Sequence, residues 1–200
     1  MKKILIVFLM ILFVFTGYKI FYKSDRLTLS VPVSIDVKHI NEVKRLIKSN
    51  SKYNKRIAFF VDMKIPSGKN RFFVYDLKTN KIIDKGLVAH GSGSETISKG
   101  KLKFSNIPNS LSTSLGKYYI GNSYYGKFGK AYRLYGLDNS NNNAFDRDIV
   151  FHYYFDVPYE EQKGYICNSF GCPMVNRKYF ERAAKIIDSS KSNIVMNIYY

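Results

Sequence analysis

Residues 168–175 read Asn-Ser-Phe-Gly-Cys-Pro-Met-Val, a turn-like run that neither a helix nor a strand would favour. Gly171 lets the backbone adopt a positive φ just before the cysteine. Pro173 restricts φ just after it and removes a backbone donor. A thiol on such a stiff turn is expected to point outward, with neighbouring N–H groups left free. This is the geometry that a nucleophilic Cys172 would need.

The second candidate residue is His152, which lies 20 residues before Cys172 at the end of the apolar, β-branched run 149–152. This run is typical of a buried strand. An imidazole near a thiol can remove its proton, so the pair suggests a nucleophile and its base. A lone cysteine is more often a small buried hydrophobe, and a histidine at a strand end is more often structural. The Gly/Pro-bracketed turn favours catalysis.

Other short motifs accompany these two along the chain. They are residues 88–93 (VAHGSG), 104–106 (FSN), 114–116 (SLG), 126–129 (GKFG), 133–138 (RLYGLD), 149–152 (IVFH) and 169–173 (SFGCP). In this order they resemble the L,D-transpeptidase (YkuD-type) catalytic domains, in the murein L,D-transpeptidase branch that carries Gly-Cys-Pro. The resemblance covers about residues 57–176.

The resemblance implies a mainly β (α+β) fold, an L,D-transpeptidase-like β-sandwich of mixed sheets with one or two packed helices. It implies that Cys172 attacks the bond between the diamino acid and the terminal D-Ala of a peptidoglycan tetrapeptide stem. The resulting thioester would pass to an amine, giving a 3→3 cross-link, or to water, as in an L,D-carboxypeptidase. His152 would be the general base and acid. No cofactor or metal is expected.

Supporting roles can be assigned around this pair. Backbone N–H groups of Gly171 and Cys172 are the expected oxyanion donors, and Ser169 is expected to shape the turn. No acidic residue is an obvious partner for His152, so a backbone carbonyl near Tyr153 is predicted to orient its ring. Candidate substrate-binding residues are His90, Ser92, Arg133 and Asn176. For His90, a structural role at a strand end is an equal alternative.

The chain also departs from the better-known branch of the family. Tyr153 follows the histidine, Phe170 replaces a second histidine, and Met174 occupies the position of an arginine. The substrate contact that relatives make through that arginine cannot be transferred to this chain.

Cys167 allows two other interpretations of the thiols. A Cys167–Cys172 disulfide is conceivable in an exported protein and would block the nucleophile. A zinc site could draw on His90, His152, Cys167 and Cys172, although the spacing fits common zinc sites only at its loosest limit.

The composition bounds the class of protein. The chain has 200 residues, 46% hydrophobic, with 17 Tyr, 15 Phe and no Trp, which is enough for one β-rich domain with its own core. The net charge of +17 favours anionic partners such as cell-wall polymers, or is simply a solvated surface. No nucleic-acid-binding signature is present. Alternative functions are a catalytically inactive basic cell-wall-binding module and, more weakly, a papain-type thiol peptidase.

Three segments are predicted along the chain. Residues 1–23 combine Lys2 and Lys3 with a long apolar run, so they form a signal peptide or an uncleaved N-terminal membrane anchor. This predicts an exported protein of the periplasm or cell envelope, tethered to the membrane. Residues 24–55 form a tether and an amphipathic helix that Asp36 caps. Residues 56–200 form the catalytic domain.

Hydrophobic periodicity predicts the elements of that domain. Expected strands are 56–65, 71–77, 81–90, 117–121, 131–137, 148–152 and 193–200. A helix from Arg177 to Ser189 is predicted, with Asn176 as its cap.

Overall fold

The computed structural model describes residues 35–98 and 100–200. The signal or anchor predicted for residues 1–23, and the tether predicted up to residue 34, lie outside the described residues and stay predictions. Within the part that is described, no helix has both the length and the apolar character required to cross a bilayer.

Nine strands and two α-helices form the described domain. In chain order they are α1 (Val37–Ser49), β1 (Tyr53–Asp62), β2 (Phe72–Asp76), β3 (Lys81–Gly86), β4 (Val88–Ala89), a 3₁₀ turn (Ser92–Ser94), β5 (Gly116–Gly126), β6 (Gly129–Gly136), β7 (Val150–Tyr153), β8 (Met174–Val175), α2 (Arg177–Ser189) and β9 (Asn193–Tyr199).

The strands join into one mixed sheet in the order β3-β2-β1-β9-β5-β6-β7-β8-β4. The β1–β9 and β7–β8 pairs are parallel, and the other pairs are antiparallel. The predicted fold class, mainly β with a mixed sheet and two packed helices, is therefore confirmed. The sheets of the predicted sandwich are hydrogen-bonded to each other, so that they form one continuous sheet.

Strand β1 shows why both faces of this sheet are apolar. Successive side chains of a strand point to opposite faces. Phe59 and Val61 enter the main core cluster, which α2 covers with Tyr179, Phe180, Ala183 and Ala184. Ala58 and Phe60 enter a second cluster, which α1 covers with Ile40, Val43 and Ile47. Burial of both faces explains the apolar run of residues 57–61 in the second half of β1.

Both helices begin where the sequence predicted. The Asp36 carboxylate accepts a hydrogen bond from Lys38 N at 2.8 Å, and the Asn176 side chain accepts one from Lys178 N at 2.9 Å. These caps satisfy free N–H groups in the first helical turns. Helix α1 packs against β1 and β9, although the boundary proposed at residue 55 stays a prediction.

The prediction of one strand over residues 81–90 is wrong. Strand β3 ends at Gly86, whose backbone lies so close to the Tyr179 ring that a Cβ there would be 2.8 Å from ring carbons. After Leu87 the chain leaves β2, and Val88 and Ala89 pair with Val175 and Met174 of β8. This crossing brings the His90-Gly91 segment to the turn that carries Cys172.

Candidate active site

The thiol of Cys172 lies against the strand that carries His152. Val150 N donates a hydrogen bond to Cys172 Sγ at 3.4 Å, and the thiol donates to the carbonyl oxygen of Asp148 at 3.6 Å. Cys172 is half-buried, and Phe170 beside it is 77% exposed. Backbone groups therefore hold the sulfur in a half-buried position at the edge of the core.

The register of β7 and β8 brings His152 near this thiol. His152 is paired with Met174, and Cys172 precedes Met174 by two residues in a parallel pair. Among the described residues, the hydrogen bonds of the sulfur are to the backbone of Val150 and Asp148, and none joins it to the His152 ring. The thiol therefore contacts β7 two residues before the histidine.

The His152 ring is oriented by a backbone carbonyl, as the sequence predicted. Its Nδ1 lies 3.0 Å from the carbonyl oxygen of Tyr153. A carbonyl can only accept, so Nδ1 carries the proton and Nε2 has the free lone pair. The ring is 5% exposed, and Phe128 stacks on it with centroids 5.4 Å apart. Burial lowers the pKa of His152, although the Tyr153 carbonyl partly opposes this shift.

Burial shifts the pKa of the thiol in the opposite direction. It raises the pKa of Cys172, and the Asp148 charge adds to the rise, while Val150 N–H and Arg147 oppose it. A raised thiol pKa and a lowered imidazole pKa favour a neutral thiol beside a neutral imidazole in the resting protein.

Arg147 is a contributor to the site that the sequence did not single out. Its guanidinium donates to the carbonyl oxygens of Ser105 at 2.9 Å and Ser112 at 2.7 Å, and to Ser110 Oγ at 3.3 Å. It thus ties the irregular 105–112 segment beside the cysteine turn and places a positive charge near the sulfur. Its position just before the histidine strand was the available signal.

One of the two predicted oxyanion donors has an acceptor within the turn, and its role stays a prediction. Gly171 has φ of +120°, as the turn requires, but its N–H donates to Ser169 Oγ at 3.1 Å. Ser169 is 4% exposed and shapes the turn from within. Among the residues described, no acceptor is bonded to the N–H of Cys172. Of the two predicted oxyanion donors, the N–H of Cys172 is therefore the one that remains available.

The segment that follows β4 is hydrogen-bonded to the turn that carries Cys172. Ser169 N donates to the His90 carbonyl at 2.8 Å, and Ser92 N donates to the Ser169 carbonyl at 2.8 Å. Gly91 must be glycine because a Cβ there would lie 2.9 Å from Gly171 N. Ser92 is accordingly placed beside the turn through its backbone.

The substrate contact predicted for His90 is not supported. The residue is 2% exposed, Arg71 Nη2 donates to its Nδ1 at 2.8 Å, and its Nε2 bonds Glu95 Oε1 at 2.7 Å. Both ring nitrogens are thus used inside the protein, which favours the structural alternative. The sequence did not predict that Arg71 would be buried here.

The substrate contact of Asn176 stays a prediction, and its side chain already has partners within the protein. Its side-chain oxygen caps α2, and its Nδ2 donates to the Val157 carbonyl at 2.8 Å. Arg133, in contrast, lies on β6 opposite Val150, beside the backbone that holds the thiol. Of the four candidates, Arg133 alone has a charged side chain with a partly exposed surface near the site.

The two alternative interpretations of the thiols find no support. Cys167 and Cys172 are both free thiols. Within residues 35–98 and 100–200, no three His, Cys, Asp or Glu side chains come together as potential metal ligands. The four side chains of the zinc hypothesis therefore do not converge.

Comparison with known families identifies the class of protein. Residues 31–199 match the L,D-transpeptidase catalytic domain, which is most of the chain. The chain belongs to the L,D-transpeptidase catalytic domain family.

The solved structures that match this chain share little sequence with it. The structure described as the Ldtfm–avibactam carbamoyl enzyme is 9% identical, with a TM-score of 0.45, over 74% of this chain and 50% of that chain. The helical cell shape determining protein Pgp2 from Campylobacter jejuni is 16% identical, with a TM-score of 0.42, over 72% and 47%. The L,D-transpeptidase from Xylanimonas cellulosilytica is 12% identical, with a TM-score of 0.37, over 72% and 60%.

This chain therefore covers about half the length of the first of these solved proteins. A comparison with curated protein sequences found no match. Membership of the family rests on the match over residues 31–199.

Proposed function

We propose that this protein is a cysteine-dependent peptidoglycan L,D-transpeptidase. The observation that carries the proposal is the position of the Cys172 thiol, hydrogen-bonded to the backbone of the same strand that presents His152. Membership of the family, together with this pairing, favours acyl transfer on a tetrapeptide stem. We also propose that the protein is exported and tethered by residues 1–23.

The first step would form the thioester. His152 Nε2 takes the thiol proton as Sγ attacks the carbonyl carbon of the diamino acid–D-Ala bond. The new S–C bond gives a tetrahedral oxyanion, which Cys172 N–H can stabilise. The C–N bond then breaks, and the imidazolium returns its proton to the leaving D-Ala amine.

The second step would release the acyl group. An amine of another stem attacks the thioester carbonyl, and the thiolate leaves and regains a proton through His152. The product is a 3→3 cross-link. If water attacks instead, the product is a tripeptide stem and the protein is an L,D-carboxypeptidase.

The neutral resting pair shapes this mechanism. A thiol with a raised pKa is not a preformed thiolate, so proton removal must accompany attack rather than precede it. Arg147 lies close enough to oppose the rise in the Cys172 pKa, and it would stabilise the negative sulfur as it forms.

The test is incubation of the full-length protein with purified tetrapeptide stems, with mass spectrometry of the products. We expect D-Ala release, a thioester on Cys172, and a cross-linked product when an acceptor stem is added. Cys172→Ala should abolish all three. His152→Ala should slow D-Ala release by about 10²–10⁴-fold. D-Ala release that persists in Cys172→Ala would contradict the proposal.

A basic cell-wall-binding module is the second candidate, because a row of exposed side chains on α1 favours it. Lys38, Asn41, Arg45 and Lys48 are exposed and follow one another at helical spacing. This exposed basic face could bind anionic cell-wall polymers whether or not the protein is an enzyme.

A further inference from the structure

A second functional group lies next to the thiol, on β6. Arg133 is paired with Val150, the residue whose N–H holds the sulfur. Two short contacts connect the guanidinium to the sulfur. Arg133 Nη1 is 3.5 Å from Asp148 Oδ1, and the Asp148 carbonyl oxygen is 3.6 Å from Cys172 Sγ. Asp148 therefore contacts both the guanidinium of Arg133 and the sulfur of the proposed nucleophile.

Aromatic rings hold this guanidinium in a defined orientation. Its carbon lies 4.8 Å from the centroid of Tyr124 and 5.3 Å from the centroid of Phe145. Phe145 in turn stacks on Tyr135, with centroids 5.1 Å apart and planes 15° apart. Arginine favours such contacts through its planar faces, which leaves its N–H edge for a planar anion.

The existing anionic partner of Arg133 is weak. The contact with Asp148 joins single atoms at 3.5 Å, and the Asp148 side chain is 85% exposed. Exposed ion pairs of this kind contribute little and are readily exchanged. The other guanidinium near the sulfur is committed, because Arg147 donates to three acceptors of the 105–112 segment. Arg133 is thus the cation that a ligand can engage.

We propose that Arg133, clamped between Tyr124 and Phe145, is a binding site for a carboxylate of the donor stem peptide. This inference rests on the proposed function and names part of its substrate. A guanidinium edge fits a carboxylate through two parallel hydrogen bonds. Two carboxylates lie close to the scissile bond: the terminal carboxylate of D-Ala, and a side-chain carboxylate when the third residue is diaminopimelate rather than lysine.

The test measures stem binding separately from turnover. Full-length Cys172→Ala protein binds but cannot react, so its dissociation constants report the site alone. Three stems are compared: one with diaminopimelate and free D-Ala, one with a C-terminal carboxamide, and one with lysine as third residue. Each is measured with and without Arg133→Met. Arg56→Met, an exposed arginine on β1 that two strands separate from β6 in the sheet, is the matched control.

We expect Arg133→Met to weaken binding of the first stem by about 10–100-fold, as the loss of a charge-assisted pair predicts. Arg133→Lys should recover part of the affinity, and Arg56→Met should match the parent. The stem that lacks the recognised carboxylate should bind equally with and without Arg133, which identifies the terminal or the side-chain carboxylate.

Other outcomes overturn the inference. Equal binding of the first stem by Arg133→Met and the parent, or no measurable stem binding, would exclude the site. An equal loss for all three stems would show that Arg133 does not act through a carboxylate. If stems bind through Arg133 but the protein with Cys172 intact releases no D-Ala, the binding site stands and the proposed reaction fails.

Discussion

The two residues proposed for catalysis have pKa values that burial shifts in opposite directions. Burial raises the pKa of Cys172 and lowers that of His152, so both shifts favour the uncharged forms. Many cysteine enzymes rely on a thiolate–imidazolium pair, in which the shifts are reversed. In the proposed mechanism, the free Nε2 of His152 would accept the thiol proton only as attack begins.

This difference predicts the pH dependence of acylation. His152 must be neutral to act as a base, and its lowered pKa keeps it neutral below its ordinary value of 6.5. The rate of acylation by a carbapenem, followed by intact mass, should therefore rise with pH through a midpoint below 6.5. A midpoint above 6.5, or rapid alkylation of Cys172 by iodoacetamide at about pH 5, would indicate a preformed ion pair.

Arg71 is the residue whose removal should damage folding most. It is 1% exposed, and burial lowers its pKa to about 9. Its guanidinium donates to the Val88 carbonyl from two nitrogens, at 3.0 and 2.7 Å, and to the Ile65 carbonyl at 3.2 Å. It also bonds His90, so it joins the start of β2 to the segment that supports the cysteine turn.

We expect Arg71→Met to lower the free energy of unfolding by roughly 3–5 kcal/mol, because it leaves buried carbonyls and His90 without their donor. Urea denaturation followed by circular dichroism measures this change. Arg45→Met removes an exposed arginine and should shift the free energy of unfolding by less than about 0.5 kcal/mol. Similar values for the two variants would show that the Arg71 network does not support the fold.

At the scale of elements, the β5–β6 hairpin reaches over the candidate site. Gly126 and Gly129 pair with each other, so Lys127 and Phe128 form a two-residue loop. Gly129 has φ of +82°, a backbone conformation that favours glycine. The loop places the Phe128 ring on the His152 ring. The Phe128 ring also makes an edge contact with Tyr154, and the centroids of these two rings are 5.7 Å apart. The hairpin therefore restricts water at the imidazole.

Phe128→Ala should expose the imidazole and move the pKa of His152 up towards its ordinary value. The midpoint of the acid limb of carbapenem acylation should move up with it. Stability should change by less than about 1 kcal/mol, because Phe128 is already 43% exposed.

Tyr125→Ala is the control on the same hairpin, since Tyr125 is 82% exposed. An NMR titration of the His152 ring measures the pKa directly. An unchanged titration in Phe128→Ala would show that the aromatic ring does not control solvation of the imidazole.

At the scale of the whole molecule, the basic face of α1 and the candidate site lie over different strands of the sheet. Helix α1 covers strands β1, β2 and β9, whereas the candidate site lies on β6, β7 and β8. The net charge of +17 favours anionic partners. An anionic polymer on α1 would therefore leave the thiol accessible.

This arrangement predicts salt-sensitive binding that is independent of catalysis. Full-length Cys172→Ala protein should bind an anionic cell-wall polymer, and the affinity should fall at least about tenfold between 50 mM and 500 mM salt. Combined substitution of Lys38, Arg45 and Lys48 by glutamate should weaken binding at low salt without changing D-Ala release in the protein that retains Cys172. Sedimentation with purified wall polymer measures the first effect, and salt-insensitive binding would contradict it.

Sequence alone determined most of the elements and predicted the candidate site. The Gly-Cys-Pro turn, the histidine strand and both capped helices follow from local rules: allowed φ angles, side-chain periodicity, and the hydrogen bonds of the first helical turn. The backbone partner of His152 could also be predicted, because no nearby acid was available. These features depend on residues close together along the chain.

The tertiary structure alone decided which groups surround the thiol. It separated β4 from β3 and paired it with β8, buried Arg71 against His90, and engaged Gly171 N–H with Ser169. It also set the directions of the Cys172 and His152 pKa shifts. Burial and long-range pairing bring together residues that are far apart in the chain, so local patterns could not supply them.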